Sequence, residues 1–200
     1  MKESDLITFF TELDKLLQIR CDIILTGASA GMLMGHIRPS LDIDFEIRPL
    51  DRQDKQQLGN QLPHVISEVT KVIPVAADYS GDISHWGQIN YLDYRDTALP
   101  YKVIGLLQVR IMAPEYWTIG KMTRYIAQDI EDIKIIIKSK HIQPEPLINL
   151  WAKALNSSEL SLTCSSFKRH VSDFITTNAT TLWNQPPQPI IQNFTQQIVT

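Results

Sequence analysis

Asp42 and Asp44 sit two residues apart in Ser40-Leu41-Asp42-Ile43-Asp44-Phe45-Glu46-Ile47, a run in which acidic and apolar residues alternate. On a strand, carboxylates at i and i+2 face the same way, about 6.6 Å apart by backbone rise. They can lean together around a divalent cation that also holds substrate phosphates. Just upstream, Leu25-Thr26-Gly27-Ala28-Ser29-Ala30-Gly31 reads as an apolar strand running into a small-residue turn and a helix. Such a turn offers backbone N–H groups to an anion. A cation platform beside a phosphate cradle suits chemistry on a nucleoside triphosphate.

Periodicity supplies the elements that must position these groups. Leu6, Phe9, Phe10, Leu13, Leu16 and Leu17 form the apolar stripe of a first helix, capped by Ser4. Strands are expected at 22–26, 41–47, 75–79, 89–93 and 106–112. The helix after the glycine turn should end near Gly35, and 51–72 is helical with Pro63 opening a second segment. Pro114 opens a helix carrying Trp117, Lys121, Met122 and Arg124. The following helix points Ile130, Ile133, Ile136 and Ile137 inward and Asp129, Glu131 and Asp132 outward. Asp129 and Asp132 are expected to pair with Arg124 or Lys121 as packing support, Lys121 to snorkel at the surface, Glu46 to be solvated, and Trp86 and Trp117 to anchor the core. After Pro144 only helices are expected, with a stiff linker at 184–189, Asn-Gln-Pro-Pro-Gln-Pro. The fold class is therefore α+β: a mixed sheet flanked by helices over 1–143, then a small helical tail over 144–200.

The 200 residues suffice for one good domain and an appendage. Residues 1–100 hold nine Lys/Arg against fifteen Asp/Glu, and residues 101–200 hold ten against seven, so the net charge of −3 divides into −6 and +3. A whole-surface polyanion binder would be basic throughout, and this chain is not. Cys21 and Cys164 are too few for a disulfide framework or a zinc site. No stretch has the apolar length of a membrane span, and the acidic start Met1-Lys2-Glu3-Ser4-Asp5 is no secretory signal, so no membrane and a cytoplasmic location are expected.

The glycine turn has rival readings. Gly27-Ala28-Ser29-Ala30-Gly31 satisfies G-x-S-x-G, the turn that exposes a serine nucleophile. Residues 1–26 hold no glycine for an upstream oxyanion loop, however, and none of His36, His64, His85, His141 and His170 is marked as the base. A serine hydrolase is thus the lesser alternative. A short-chain dehydrogenase opening would need a glycine in place of Leu33 and a Tyr-x-x-x-Lys that is missing.

A third reading accounts for both halves. Gly27-Ala28-Ser29-Ala30, Gly35, Arg38, Ser40 and Asp42-Ile43-Asp44 together resemble the nucleotidyltransferase superfamily with the DNA polymerase β-type fold. The similarity is to small bacterial members related to abortive-infection and toxin–antitoxin nucleotidyltransferases. It continues through Met112-Ala113-Pro114-Glu115 and from Lys121 to Asp132, covering roughly residues 20–140.

This resemblance implies Asp42 and Asp44 as ligands of Mg2+, with nucleoside monophosphate passing from an NTP to a hydroxyl of RNA, protein or a small molecule. It implies nucleotide binding by Gly27, Ser29, Arg38 and Lys121, and a protein partner such as an antitoxin. A third carboxylate is expected from a later strand. Asp93 is the choice, Asp78 competes, and Asn90 is the residue that would stand there if the acid were lost. Ala28 replaces a family-typical glycine. An inactive binding protein of the same fold is therefore the main alternative.

Overall fold

In the β-strand over Asp42–Pro49, every second side chain turns to an apolar core and the others to a charged face, as a period of two requires. The computed structural model describes residues 2–35 and 42–198, apart from the side chain at 85. In chain order the elements are α1 (Glu3–Leu17), β1 (Cys21–Thr26), α2 (Gly27–Leu33), β2 (Asp42–Pro49), α3 (Lys55–Val72), β3 (Ala76–Ser80), α4 (Tyr94–Thr97), β4 (Leu99–Ile104), β5 (Leu107–Ile111), α5 (Pro114–Arg124), α6 (Ala127–Ser139), α7 (Pro144–Asn156), α8 (Leu162–Trp183) and α9 (Pro187–Gln197). The fold class is α+β, with a five-stranded mixed sheet in the order β3-β2-β1-β5-β4. β1 runs antiparallel to β2 and parallel to β5, β3 is parallel to β2, and β4 is antiparallel to β5.

The chain divides into two compact units, one of Met1–Ile83 with Arg95–Met112, the other of Ser84–Tyr94 with Ala113–Thr200. The first holds the sheet. Central β1 is buried along its whole length. One sheet face carries Ile23, Leu25, Ile43, Phe45 and Ile47 into a core with Leu6, Phe9, Phe10, Leu13 and Leu17 of α1 and Leu62, Val65, Ile66 and Val69 of α3. Phe9, Phe10 and Phe45 meet edge to face at 5.2–6.0 Å between ring centres, a geometry worth about 0.5–1.5 kcal/mol per pair beyond area burial.

Several expectations change here. α3 is one helix with Pro63 inside it. The ring of a helical proline clashes with the carbonyl four residues back; that residue is Gly59, and both lie on the exposed side of the helix. The strand expected at 89–93 is irregular. Asn90 folds its own side chain back, its Oδ1 accepting the Leu92 N–H at 2.7 Å, and Leu92 takes φ +57°. β4 lies outside the strands expected from the sequence; its Pro100 is tolerated on an edge strand, beside an irregularity between Pro100 and Lys102.

The second unit is helical. α5 and α6 pack against α7 and α8, so the boundary expected at residue 143 falls inside this unit. Its core gathers Ile133, Ile136, Ile137, Leu147, Trp151, Phe167, Phe174 and Phe194. Trp151 Nε1 donates to Thr118 Oγ1 at 2.9 Å and its ring meets Phe174 edge to face. The proline-rich stretch is no free linker. Asn184 ends α8 in the left-handed conformation, and Pro187 starts α9 at a position where a missing N–H costs nothing. Trp117 is buried as expected, whereas Trp86 is 44% exposed.

Asp129 and Asp132 are also buried rather than outward, because two cations meet them. Lys121 Nζ lies 3.1 Å from Asp129 Oδ1, 2.8 Å from Asp132 Oδ2 and 4.9 Å from the centre of the Trp117 ring. Arg124 grips Asp129 through Nε and Nη2 at 2.7 and 2.6 Å. Lys121 is therefore a buried ion-pair partner, not a snorkelling surface residue. Burial opposes the Asp129 charge, but hydrogen bonds from Arg124 and the Lys121 charge outweigh it and hold the carboxyl below its usual pKa. Breaking a buried pair from one side costs about 3–5 kcal/mol, so Lys121→Met is expected to destabilise by about that much in urea unfolding at neutral pH. Because the folded pKa is depressed, the Asp129 contribution is complete above the ordinary carboxylate value and is lost as pH falls through the lowered one. Asp129→Asn should remove that acid-limb loss; an unchanged acid limb would show that the pair contributes nothing.

Candidate functional site

β1 passes into α2 with no intervening loop, and this junction sets the site. Thr26 is still extended (φ −135°), and Gly27 turns the chain with φ +58°. The left-handed conformation is open to glycine and costs about 1–2 kcal/mol for other residues. Glycine is required for a second reason. A Cβ on Gly27 would fall on the carboxylate of Asp44, so the backbone of the turn and that side chain are in direct apposition. Register explains it: Asp44 stands opposite Thr26 on β1, one residue before the turn.

On its other side Asp44 stands opposite Asp78 of β3. Asp42, Asp44 and Asp78 each present a carboxylate oxygen, and these oxygens lie within 4.8 Å of one another. Asp42 and Asp44 are partly buried and Asp78 is exposed. Three like charges so close repel by about 1–3.5 kcal/mol per pair between water-like and surface dielectrics. A cation among them reverses the sign. Ligand bonds of about 2.1 Å to a six-coordinate cation set oxygens about 3–4.2 Å apart, within small rotamer adjustments of this spacing. The donors are all hard oxygens, which fits a hard divalent cation and not a thiolate- or imidazole-seeking one.

The remaining expected site residues are placed as follows. Ser29 is fully buried, and its hydroxyl donates to the Thr26 carbonyl at 3.1 Å, so the turn offers no exposed nucleophile for a hydrolase; what Ser29 can offer an anion is its backbone. Arg38 lies outside the described residues. Lys121 belongs to the helical unit, where Asp129 and Asp132 engage it. Asp93 belongs there too. Tyr116 Oη donates to it at 2.9 Å, and that hydrogen bond, with a lesser contribution from Lys153, keeps its carboxyl below the usual pKa, which weakens it as a base. Among the described residues, the carboxylate that joins Asp42 and Asp44 is Asp78.

Comparisons with family models, curated proteins and solved structures find no match.

Sequence reasoning missed what lies further along the same face. Glu46 is not solvated; it is 1% exposed. Arg95 forks onto it through Nε and Nη2 at 2.7 and 3.0 Å, and Arg48 Nε lies 3.0 Å from Oε1, off the line of a hydrogen bond. Asp22, opposite Arg48 in register, is held by Arg110 from β5, and those hydrogen bonds raise the Arg110 pKa further. Acids at 22 and 46 are thus matched by arginines at 48, 95 and 110. The only sequence signal for this was alternation itself, since Asp22, Ile24 and Thr26 share the face with Asp42, Asp44, Glu46 and Arg48.

Gly27→Ala is expected to cost about 1–2 kcal/mol from the left-handed backbone alone and to push Asp44 out of the carboxylate group. Titration with Mn2+, followed by the loss of free-ion paramagnetic signal, should show weaker binding than wild type. Unchanged affinity would break the link between the turn and Asp44.

Proposed function

We propose that this chain is a Mg2+-dependent nucleotidyltransferase that moves a nucleoside monophosphate from an NTP to a hydroxyl of RNA, protein or a small molecule, with release of pyrophosphate. The observation that carries this reading is the convergence of Asp42, Asp44 and Asp78 beside the side-chain-free backbone of Gly27. The resemblance noted in the sequence concerns Gly27, Asp42 and Asp44, with Asp78 only a competitor to Asp93 for the third carboxylate, and the mixed α+β sheet is in keeping with it.

In this reading Asp42, Asp44 and Asp78 hold Mg2+, which is small, oxygen-seeking and retains sites for phosphate oxygens. When bound, the ion would lower the pKa of the attacking hydroxyl and stabilise the entering and leaving oxygens at the α-phosphorus. The chain contributes position. Asp42 and Asp44 are fixed on one strand face, and Gly27 makes room for the Asp44 carboxylate beside the turn. Asp78, the exposed member, is the carboxylate that an incoming acceptor hydroxyl reaches first. Lys121 and Asp93 are assigned no part in the chemistry.

Incubation with α-labelled NTPs, Mg2+ and cell extract should transfer label to an acceptor. Asp44→Asn should lower transfer by about 100-fold or more, the scale of losing one preorganised electrostatic contact, and chelation should abolish it. Equal labelling by wild type and variant would overturn the reading.

A further inference from the structure

β3 supplies Asp78, yet it is an edge strand with little to hold it. Among the described residues it pairs with β2 alone, and none of its five residues is buried. Tyr79 stacks on Phe45, with ring centres 5.9 Å apart. Edge strands anchored so lightly fray, and a slip of one residue would turn Asp78 to the opposite face.

Polar contacts just past the strand do the holding. Ser80 Oγ donates to the Asp82 carbonyl at 2.9 Å and accepts the Asp82 N–H at 3.0 Å, closing a turn at the end of β3. Ile83 N–H then donates to Glu46 Oε2 at 3.0 Å. Arg95 ties both ends together, gripping Glu46 with Nε and Nη2 and reaching Asp82 Oδ1 from Nη2 at 2.9 Å. The arginine is itself fixed, because Arg110 Nη1 donates to its carbonyl at 2.7 Å. Glu46 stands opposite Ser80, two residues beyond the Asp44–Asp78 pair. Since Glu46 is 1% exposed, its charge depends on these partners, and charge-assisted forks of this kind are strong and directional.

We propose that the Arg95 fork on Glu46 and Asp82 is a positioning clamp: it locks the register of β3 against β2 and so keeps Asp78 beside Asp44. Arg95 meets Glu46, Asp82 and Arg110 and acts through Asp78. The consequence for metal binding rests on the proposed cation site; the consequence for the strand does not.

Two measurements keep these apart. In metal-free protein, hydrogen exchange at the amides of residues 76–80 should speed up by about tenfold or more in Arg95→Ala, while β1 keeps its protection, as expected of a locally released strand. Asp82→Asn, which spares the buried Glu46–Arg95 pair, should give a smaller increase confined to the same residues. Unchanged exchange of residues 76–80 in both variants would overturn the clamp, as would global loss of protection in Arg95→Ala with no local effect in Asp82→Asn. For Mn2+ affinity, Arg95→Ala and Asp78→Asn should each weaken binding by about 10- to 100-fold, the scale seen for groups that orient ligands, and the double variant should be no weaker than the weaker single. Multiplying losses would mean that Arg95 does not act through Asp78. If wild type bound Mn2+ no better than Asp44→Asn, the cation site would fall while the exchange result still judged the clamp.

Discussion

Phe45 fixes everything that follows from β2. Its ring is buried against Phe9, Phe10 and Tyr79, and a strand has a period of two, so holding this one side chain in the core decides where each neighbour points. Ile43 and Ile47 go with it. Asp42, Asp44, Glu46 and Arg48 must go the other way. A register shift of one would bury four charged groups in an aromatic core, a penalty that no plausible rearrangement offsets. The acidic face is thus the obligatory reverse of an ordinary hydrophobic one.

Charge along that face is sorted by position. Toward Cys21 and Pro49, where β1 and β2 are flanked by β5 and α4, acids and arginines interlock: Asp22 with Arg110 and Arg48, Glu46 with Arg95 and Arg48. Toward Thr26 and Asp42, acids converge on one another instead, across the junction that Gly27 makes. One strand therefore carries both a self-neutralising network and a group suited to an added cation. The first lends rigidity to the second through shared backbone, at a spacing of only two residues between Asp44 and Glu46.

The sequence made the local half of this legible. Asp42, Asp44 and the Gly27 turn were readable because alternation and turn chemistry act over a few residues. Asp78 was legible only as a competitor to Asp93, because it, the arginine network and β4 depend on which strands pair and in what register. Buried charge was misread for a related reason. Glu46 and Lys121 look like surface residues one at a time; the pairing of Asp129 and Asp132 with Arg124 and Lys121 was legible from their spacing, but their burial was not. The proline stretch misled through composition, since Pro186, Pro187 and Pro189 suit a first helical turn as well as a linker.

In the proposed reading, the exposure gradient across the acidic group suits an exchangeable cation better than one that merely staples the fold. A structural ion is enclosed by protein ligands, whereas Mg2+ in phosphate-handling sites is held by one or a few carboxylates and completes its shell with water or phosphate. Here Asp42 and Asp44 are partly covered and Asp78 is open. The fold core beneath them is complete without a cation, closed by Phe45, Ile43 and Leu25. Stability does not call for an ion at this place. In the proposed reading an ion would act on the open side, where Asp78 stands at the sheet edge.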